Sequence, residues 1–329
     1  MSNISEQLDL LGLAETLRRE SAGFAAIAHR SRAVAKIIAA HEIKSSLPDT
    51  DDLSFLHSGL AQTTLPHSKP DENSAPWMRT SGRFSLIISP GVISDDRDEG
   101  RVRYVGVPYG PKARLIMIYL QTEGVKSRIV SLGPNLSSFL RSLGLSVTGG
   151  KNGSITAVRE QCLRIARCQF TMQWTDHSEK GRRDIVQDTK IVDGLELWTG
   201  RSGREWSGTV ELSARFQEHL KEHAVPLDKR ALSTLSDNSL GLDLYTLFAY
   251  RLPRLNKELH LRWVQLQGQI GTSYLRPRTL SEKVRGVMPD VISAYPCAKV
   301  DITTSGITLY PSPPAVPKTA VNGFKLITV

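Results

Sequence analysis

Apolar residues recur with helical spacing in several stretches of the chain. Residues 5–20 and 24–44 predict helices. In the second, Phe24, Ile27, Val34, Ile37 and Ile38 fall near one face, with His29, Arg30, Arg32 and Lys36 among them. The period is lost over residues 45–77, which are rich in Ser, Pro, Asp and Thr and predict a flexible linker. Phe84–Ile88 and Arg101–Val107 then alternate apolar and polar residues, as half-buried strands do. The acidic turn Asp95–Gly100 lies between them and predicts a hairpin. Pro111 suits the first turn of a helix whose stripe is Leu115, Ile118 and Tyr119. A short strand is predicted at Arg128–Leu132. Leu136, Phe139, Leu140 and Leu143 stand at i, i+3, i+4 and i+7, a second helix ended by Gly144. Ser154 predicts the N-cap of a third helix that buries Ile155, Val158, Cys162 and Ile165. Strands follow at 168–174 and 190–198, with a polar, basic loop between them.

Helix, strand, helix, turn, helix and two strands is the order of a winged helix, a helix-turn-helix variant. The same order returns downstream, as a helix at Leu242–Leu252, a strand at Glu258–Leu261, and helices at Trp263–Ile270 and Arg278–Ala294. Strands at Lys299–Thr303 and Ile307–Tyr310 close it. The expected fold is therefore α+β, with tandem winged helices behind a helical, partly disordered extension. The expected divisions are an extension at 1–44, a linker at 45–77, a first winged-helix domain at 78–224, a second at 225–312 and a tail at 313–329.

Charge sharpens this picture. The 329 residues hold 42 Lys/Arg against 33 Asp/Glu, a net +9. Residues 101–170 alone hold 11 basic residues and only two acids, Glu123 and Glu160, while residues 226–329 hold 13 against 7. Two basic regions separated by an acidic one predict two surfaces that face a polyanion. The longest apolar run, Leu115–Leu120, is far short of the roughly 18 residues that span a membrane. The N-terminal MSNISEQLDL has no apolar core of a signal peptide. Three cysteines, Cys162, Cys168 and Cys297, form no C-x-x-C pair and predict reduced thiols in a cytosol.

Catalytic patterns are lacking. Gly144–Lys151 imitates a phosphate-binding loop, but its spacing is one residue too long, Asn152 replaces the Ser/Thr that would hold Mg²⁺, and a helix rather than a strand precedes it. His219-x-x-x-His223 lacks a following Glu and a third ligand, so a solvated surface pair is expected. A nicking enzyme would need a His-hydrophobic-His pair, which none of the eight histidines forms. No cofactor and no enzymatic activity are expected. What remains is DNA binding. Around the third helix the expected contacts are Lys151, Asn152, Ser154, Thr156, Arg159, Glu160, Arg164 and Arg167, because a helix N-terminus suits a phosphate and early residues of a recognition helix reach base edges. In the second unit they are Arg276, Arg278, Ser281, Lys283 and Arg285. Pro289 is expected to kink or shorten that helix.

Several segments together resemble the plasmid-encoded RepA replication initiators. They are Val107–Leu115, Leu136–Leu145, Thr148–Ile155, Val225–Leu232, Ser239–Tyr245, Tyr295–Val300 and Pro311–Val316. The resemblance implies binding to repeated sites at a plasmid origin through winged helices. It also implies help in opening an adjacent A·T-rich duplex, recruitment of host initiator and helicase, autorepression, a monomer–dimer equilibrium and a place in the bacterial cytoplasm with the plasmid. The competing expectation is a winged-helix transcriptional repressor without a role in initiation; tandem non-identical modules favour the initiator. Finally, Gln7, Leu8, Asp9, Leu10 and Leu11 resemble the short peptide by which bacterial proteins dock on the polymerase sliding clamp, a flexible segment whose leucines would fill an apolar groove.

Overall fold

The structure is a computed structural model that describes residues 32–94, 100–178, 181–199, 206–271, 274 and 276–322. Two units share one order of elements. The first consists of helix α3 (Gly110–Lys126), strand β6 (Ile129–Ser131), helices α4 (Leu136–Ser142) and α5 (Ser154–Arg167), and strands β9 (Val192–Thr199) and β10 (Trp206–Leu212). Its antiparallel sheet has the order β6-β10-β9. The second consists of helix α8 (Ser239–Arg251), strand β12 (Leu259–Arg262), helices α9 (Trp263–Ile270) and α10 (Pro277–Ala294), and strands β13 (Val300–Ile302) and β14 (Gly306–Leu309). Its sheet has the same order, first strand, third strand, second strand, as β12-β14-β13.

The remaining elements join and flank these units. They are α1 (Arg32–Ser45), β1 (Leu53–His57), α2 (Ser58–Gln62), β2 (Trp77–Ser81), β3 (Phe84–Ser89), β4 (Val92–Ser94), β5 (Val102–Tyr104), β7 (Gln169–Ser178), β8 (Gly181–Thr189), α6 (Ala214–His223), β11 (Ala224–Asp228), α7 (Lys229–Thr234) and α11 (Lys318–Asn322). Strands β2, β3, β7 and β8 form one antiparallel sheet in that order. Phe84, Leu86 and Ile88 of β3 point inward, opposite Trp174, Met172 and Phe170 of β7. That is the period of two read from the sequence.

Three expectations fail here. The first concerns the linker. Residues 45–77 are not a flexible tether: all of β1 is buried, and Leu60, Ala61 and Leu65 join the main core. β1 pairs along one edge with β11, from Leu53↔Asp228 to His57↔Ala224. On its other edge, the N–H of Phe55 donates to Thr122 Oγ1 at 2.9 Å and that of His57 to Gln121 Oε1 at 2.7 Å, both from α3. A strand buried on both faces shows no alternation, so its five residues hide between Asp and Pro. The second concerns a hairpin. Strand 84–89 does not pair with 102–104; it pairs with β2 and β7, while β4 and β5 pair with each other. The third concerns the closing strands of the first unit. The segment between 168–174 and 190–198 is strand β8 rather than a loop, and the second and third strands of the unit's own sheet are β9 and β10.

One ion pair ties the two units. Arg114 on α3 is 6% exposed and points at Asp243 on α8. Its Nε donates to Asp243 Oδ1 at 2.6 Å and its Nη2 to Oδ2 at 2.8 Å. The remaining donors reach the carbonyls of Leu65 (2.6 Å), Pro66 (3.1 Å) and Gly110 (2.9 Å). All five guanidinium N–H groups thus have acceptors. His67 Nε2 adds a bond to Asp243 Oδ2 at 2.7 Å. Burial works to raise the Asp243 carboxyl, but Arg114 and His67 outweigh it and hold the carboxyl below its ordinary value. Breaking such a pair on one side leaves a buried charge alone. Asp243→Ala is expected to cost about 3–5 kcal/mol. Arg114→Met with Asp243→Leu should cost much less than that single change. Urea melts of the three proteins decide it, and an equal loss in the double variant would refute the account.

A second cluster sits where β1 meets α6. His57 Nδ1 accepts from the Gly59 N–H at 3.0 Å, so its Nε2 carries the proton and donates to His219 Nδ1 at 2.7 Å. His223 lies against His219, with ring centroids 4.3 Å apart. His223 is exposed, as a surface pair requires, but His219 is half-buried and stacks on the buried His57, and among the described residues no three such groups are placed to hold a metal ion. Burial, then His219 and His223, push His57 down to about 3, and burial also lowers His219. The folded chain excludes a proton that the unfolded chain accepts below about 6.5, so stability falls as pH drops below that value. His57 alone should cost about 2 kcal/mol by pH 5. Melts at pH 8, 6.5 and 5 should show this loss in the wild type and a smaller one in His57→Gln. Equal losses in the two would sink the idea.

Candidate nucleic-acid interface

Helix α4 stops because Gly144 takes φ +70°, a conformation that costs glycine nothing. The Leu145 N–H reaches the Leu140 carbonyl at 2.9 Å and the Gly144 N–H reaches that of Arg141 at 2.9 Å, the two bonds of a Schellman cap. The chain then curls back onto the start of α5. Thr148 and Ser154 bond reciprocally: the Thr148 N–H donates to Ser154 Oγ, and the Ser154 N–H to Thr148 Oγ1, both at 2.9 Å. Ser154 Oγ donates to the Ser146 carbonyl at 2.7 Å, and the Ile155 N–H to that of Thr148 at 3.2 Å. Gly153 must be glycine, because a Cβ there would lie 2.4 Å from the Thr148 and Gly149 carbonyl oxygens.

This loop changes the expected contacts. Ser154 is not the N-cap; Gly153 is, and Ser154 is the first helical residue, buried with its hydroxyl turned into the loop. The amides of Ser154 and Ile155 are spent on Thr148, so they are not open to a phosphate. Val158, Cys162 and Ile165 are buried as the spacing predicts, with Ile155 partly so. Burial pushes the thiols of Cys162 and Cys168 up to about 12, which leaves them unreactive.

Arg164 is the largest correction. The expectation placed it outside, reading a base; it is 3% exposed. Its Nε and Nη2 donate to Glu160 Oε1 at 3.1 and 2.9 Å, its Nη1 to the Val107 carbonyl at 3.0 Å, and its Nη2 also to Asn73 Oδ1 at 3.3 Å. Its guanidinium carbon lies 5.0 Å from the centroid of the Tyr109 ring. Glu160 is accordingly a partner of Arg164. The apolar stripe of α5 leaves position 164 at its edge, where a long side chain can turn either way, and the Val107 carbonyl before α3 and the Asn73 side chain supply acceptors beside Glu160. Lys151, Asn152, Thr156 and Arg167 are exposed, and Arg159 is half-buried. The Thr156 hydroxyl donates back to the Gly150 carbonyl at 2.9 Å.

In the second unit the sequence reading fares better. Leu280, Val284, Val287 and Val291 of α10 are buried, and Gly271 ends α9 where a Cβ would meet Leu280 at 2.6 Å. Arg276, Arg278, Lys283 and Arg285 are exposed, and Ser281 is half-buried. Arg278, 89% exposed, pairs with Glu282 at 3.1 Å on the same face. Arg285 Nη2 donates to the Thr303 carbonyl at 2.7 Å, which ties α10 to the β13–β14 turn. Trp263 Nε1 holds the next carbonyl of that turn, Thr304, at 3.0 Å. Thr304 and Ser305 are exposed at its tip, positions that the sequence reading left out although a turn between two short strands signals them. Pro289 does not shorten the helix, which runs unbroken from Pro277 to Ala294. Gln7, Leu8, Asp9, Leu10 and Leu11 lie outside the described residues. Among the described residues no helix is long and apolar enough to cross a membrane.

These placements separate stability from binding. Arg164→Ala should unfold the protein about 2–4 kcal/mol more easily, through the partners it leaves buried. Lys151→Ala should leave stability within about 0.5 kcal/mol. Thermal melts of both variants test this, and a Lys151 variant as unstable as the Arg164 one would contradict it.

Residues 107–265 match the family model described as plasmid encoded RepA protein, a span from just before α3 into α9. No curated protein matches the chain. Among solved structures, selenomethionine derivatives of domain 2 and domain 3 of RctB resemble it at 12% identity, covering 70% of this chain and 83% of that one, with a TM-score of 0.47. A second crystal structure of RctB domains 2–3 does so at 12% identity, covering 76% and 94%, with a TM-score of 0.48.

Proposed function

We propose that this chain, which belongs to the plasmid-encoded RepA replication initiator family through residues 107–265, binds plasmid origin DNA with two winged helices. The observation that carries the proposal is the repeated arrangement. Each unit has a third helix, α5 or α10, that packs one apolar face on the core and keeps cations exposed elsewhere. In the second unit four cations, Arg276, Arg278, Lys283 and Arg285, stand on or beside one helix, and the β13–β14 turn is fixed to it. That suits a recognition helix with a wing. In the first unit the contacts are Lys151, Asn152, Thr156, Arg167 and Arg159, without Ser154, Glu160 and Arg164.

Phosphate contacts fix register and supply salt-dependent affinity, while side chains early in a recognition helix read base edges. Two units on one chain would occupy successive major-groove faces, roughly one helical turn apart, so one protomer would cover about 20 base pairs. On this reading the protein acts in the bacterial cytoplasm on repeated origin sites, without catalysis of its own. It helps to open an adjacent A·T-rich duplex, recruits host initiator and helicase, represses its own gene and passes between monomer and dimer.

Footprinting on the DNA that flanks the gene tests the reading. Protection should extend over about 20 base pairs at each of several direct repeats. Lys151→Ala should reduce the slope of log affinity against log salt by about one, and Arg278→Ala should cost about 1–3 kcal/mol if Arg278 reads a base. A footprint that keeps its length and affinity with both Arg278 and Arg285 changed to Ala would remove the second unit from the DNA. One protected inverted repeat at a promoter would favour a repressor instead.

A further inference from the structure

Most glycines at bends in this fold answer to the chain itself. Gly144 needs its positive φ, and Gly153 and Gly271 have no room for a Cβ. Gly286 answers to neither demand. It lies inside the 18-residue helix α10, it is exposed, it does not adopt a positive φ, and an added Cβ would meet nothing within 4 Å. An exposed glycine within a helix is destabilising relative to alanine, because the unfolded chain gains freedom and the helix gains no contact.

A second feature falls at the same place. Pro289, also exposed, has no N–H to return to the carbonyl of Arg285, four residues earlier. The glycine and the proline thus weaken the helix around one peptide unit, the one that joins Arg285 to Gly286. Arg278, Glu282, Arg285, Gly286 and Pro289 are all exposed and recur at i, i+4, i+7, i+8 and i+11, so they form one outward stripe. Gly286 is a notch in that stripe, flanked by charged side chains.

We propose that this peptide unit is the point of closest approach between α10 and the major groove of bound duplex DNA, an inference that rests on the DNA-binding reading above. The size match is the reason. A helix with its side chains is about 10–12 Å across, and the major groove is about 12 Å wide, so an ordinary helix enters with no slack. A position without a side chain lets the helix axis sink further, and it brings Arg285 and Glu282 on either side closer to the base edges. The same notch leaves the Arg285 carbonyl unshielded as an acceptor for an exocyclic amino group of adenine or cytosine. Substituting any side chain at 286 would hold the whole helix away.

The test compares stability with binding in the full chain. Duplexes of 40 base pairs tile the DNA flanking the gene, and an unrelated duplex of the same length reports non-specific binding. Gly286→Ala should raise Tm by about 2 °C. It should also weaken binding to the best tile at least tenfold, with little change on the unrelated duplex. Gly268 provides the control, since it too is exposed within a helix, α9, with nothing within 4 Å of an added Cβ. Gly268→Ala should give a similar rise in Tm with affinity within twofold of wild type. Affinity within twofold for Gly286→Ala, or an equal loss for Gly268→Ala, overturns the placement while leaving the DNA reading intact. A wild-type protein that binds no tile better than the unrelated duplex overturns both.

Discussion

The Arg114–Asp243 pair is the joint on which the rest of the fold is hung. It connects the first helix of one unit to the first helix of the other, and it draws the chain between Leu65 and His67 into the same knot. A buried guanidinium is tolerable only when its donors and its charge are both met, and here the fork geometry meets both at once. A carboxylate alone would satisfy two donors; the three carbonyls of Leu65, Pro66 and Gly110 take the others. The segment that looks like a tether in sequence is thereby fixed, because the network fails without its carbonyls. β1 follows from the same constraint. Once residues 65–67 are pinned between α3 and α8, the preceding strand has a place between α3 and β11, and its apolar residues fill it.

The same economy of polar groups shapes the exposed surface around α5 in the first unit. The loop before α5 spends its own side chains and amides on itself, through Thr148 and Ser154, which leaves Lys151 and Asn152 as the exposed tip. A helix entrance that already has its partners offers less to a phosphate than one that is bare. The second unit is built differently, with Pro277 at the first turn of α10 and the β13–β14 turn held by Arg285 and Trp263. In both units the cations stand at the start of the third helix and along it, Lys151 before α5 with Arg159 and Arg167 on it, and Arg276 before α10 with Arg278, Lys283 and Arg285 on it.

Much of this was legible in the sequence, for reasons that also explain the failures. The helices at 110–126, 136–142, 154–167 and 277–294 were readable because each has a wide apolar stripe with a proline, a serine or a glycine at an end. β3 was readable because one of its faces is buried and the other half-open. β1 was not, since burial on both faces erases alternation. Partners of strands were not either. Phe84–Ser89 announces itself as a strand, yet nothing in its residues says that Gln169–Ser178, some eighty positions on, is its neighbour rather than the nearer Val102–Tyr104. Site residues failed for a related reason. The helical wheel places Arg164 at the margin of the apolar face, and the margin is decided by acceptors from elsewhere in the chain, here Val107 and Asn73.

The charge count needs the same correction, because ion pairs in the fold neutralise part of it. By sequence, residues 101–170 carry the basic excess of the whole chain. In the fold, Arg114 is spent on Asp243, Arg164 on Glu160 and Arg128 on Glu211, and Lys126 lies beside Glu123. Two of those acids, Asp243 and Glu211, come from outside the segment, so the segment's net charge overstates its field. In residues 226–329 the balance runs the other way. The acids Asp228 and Asp243 are buried against arginines, while Arg276, Arg278, Lys283 and Arg285 remain at the surface. The weaker excess in sequence thus still leaves a row of cations at the surface, with Glu282 paired to Arg278 among them. Affinity for a polyanion follows the exposed charges that it can approach within about a Debye length of 8–10 Å, not those tied up inside. By that measure the exposed cations of each unit, and not the linear excess of residues 101–170, decide what a polyanion would meet.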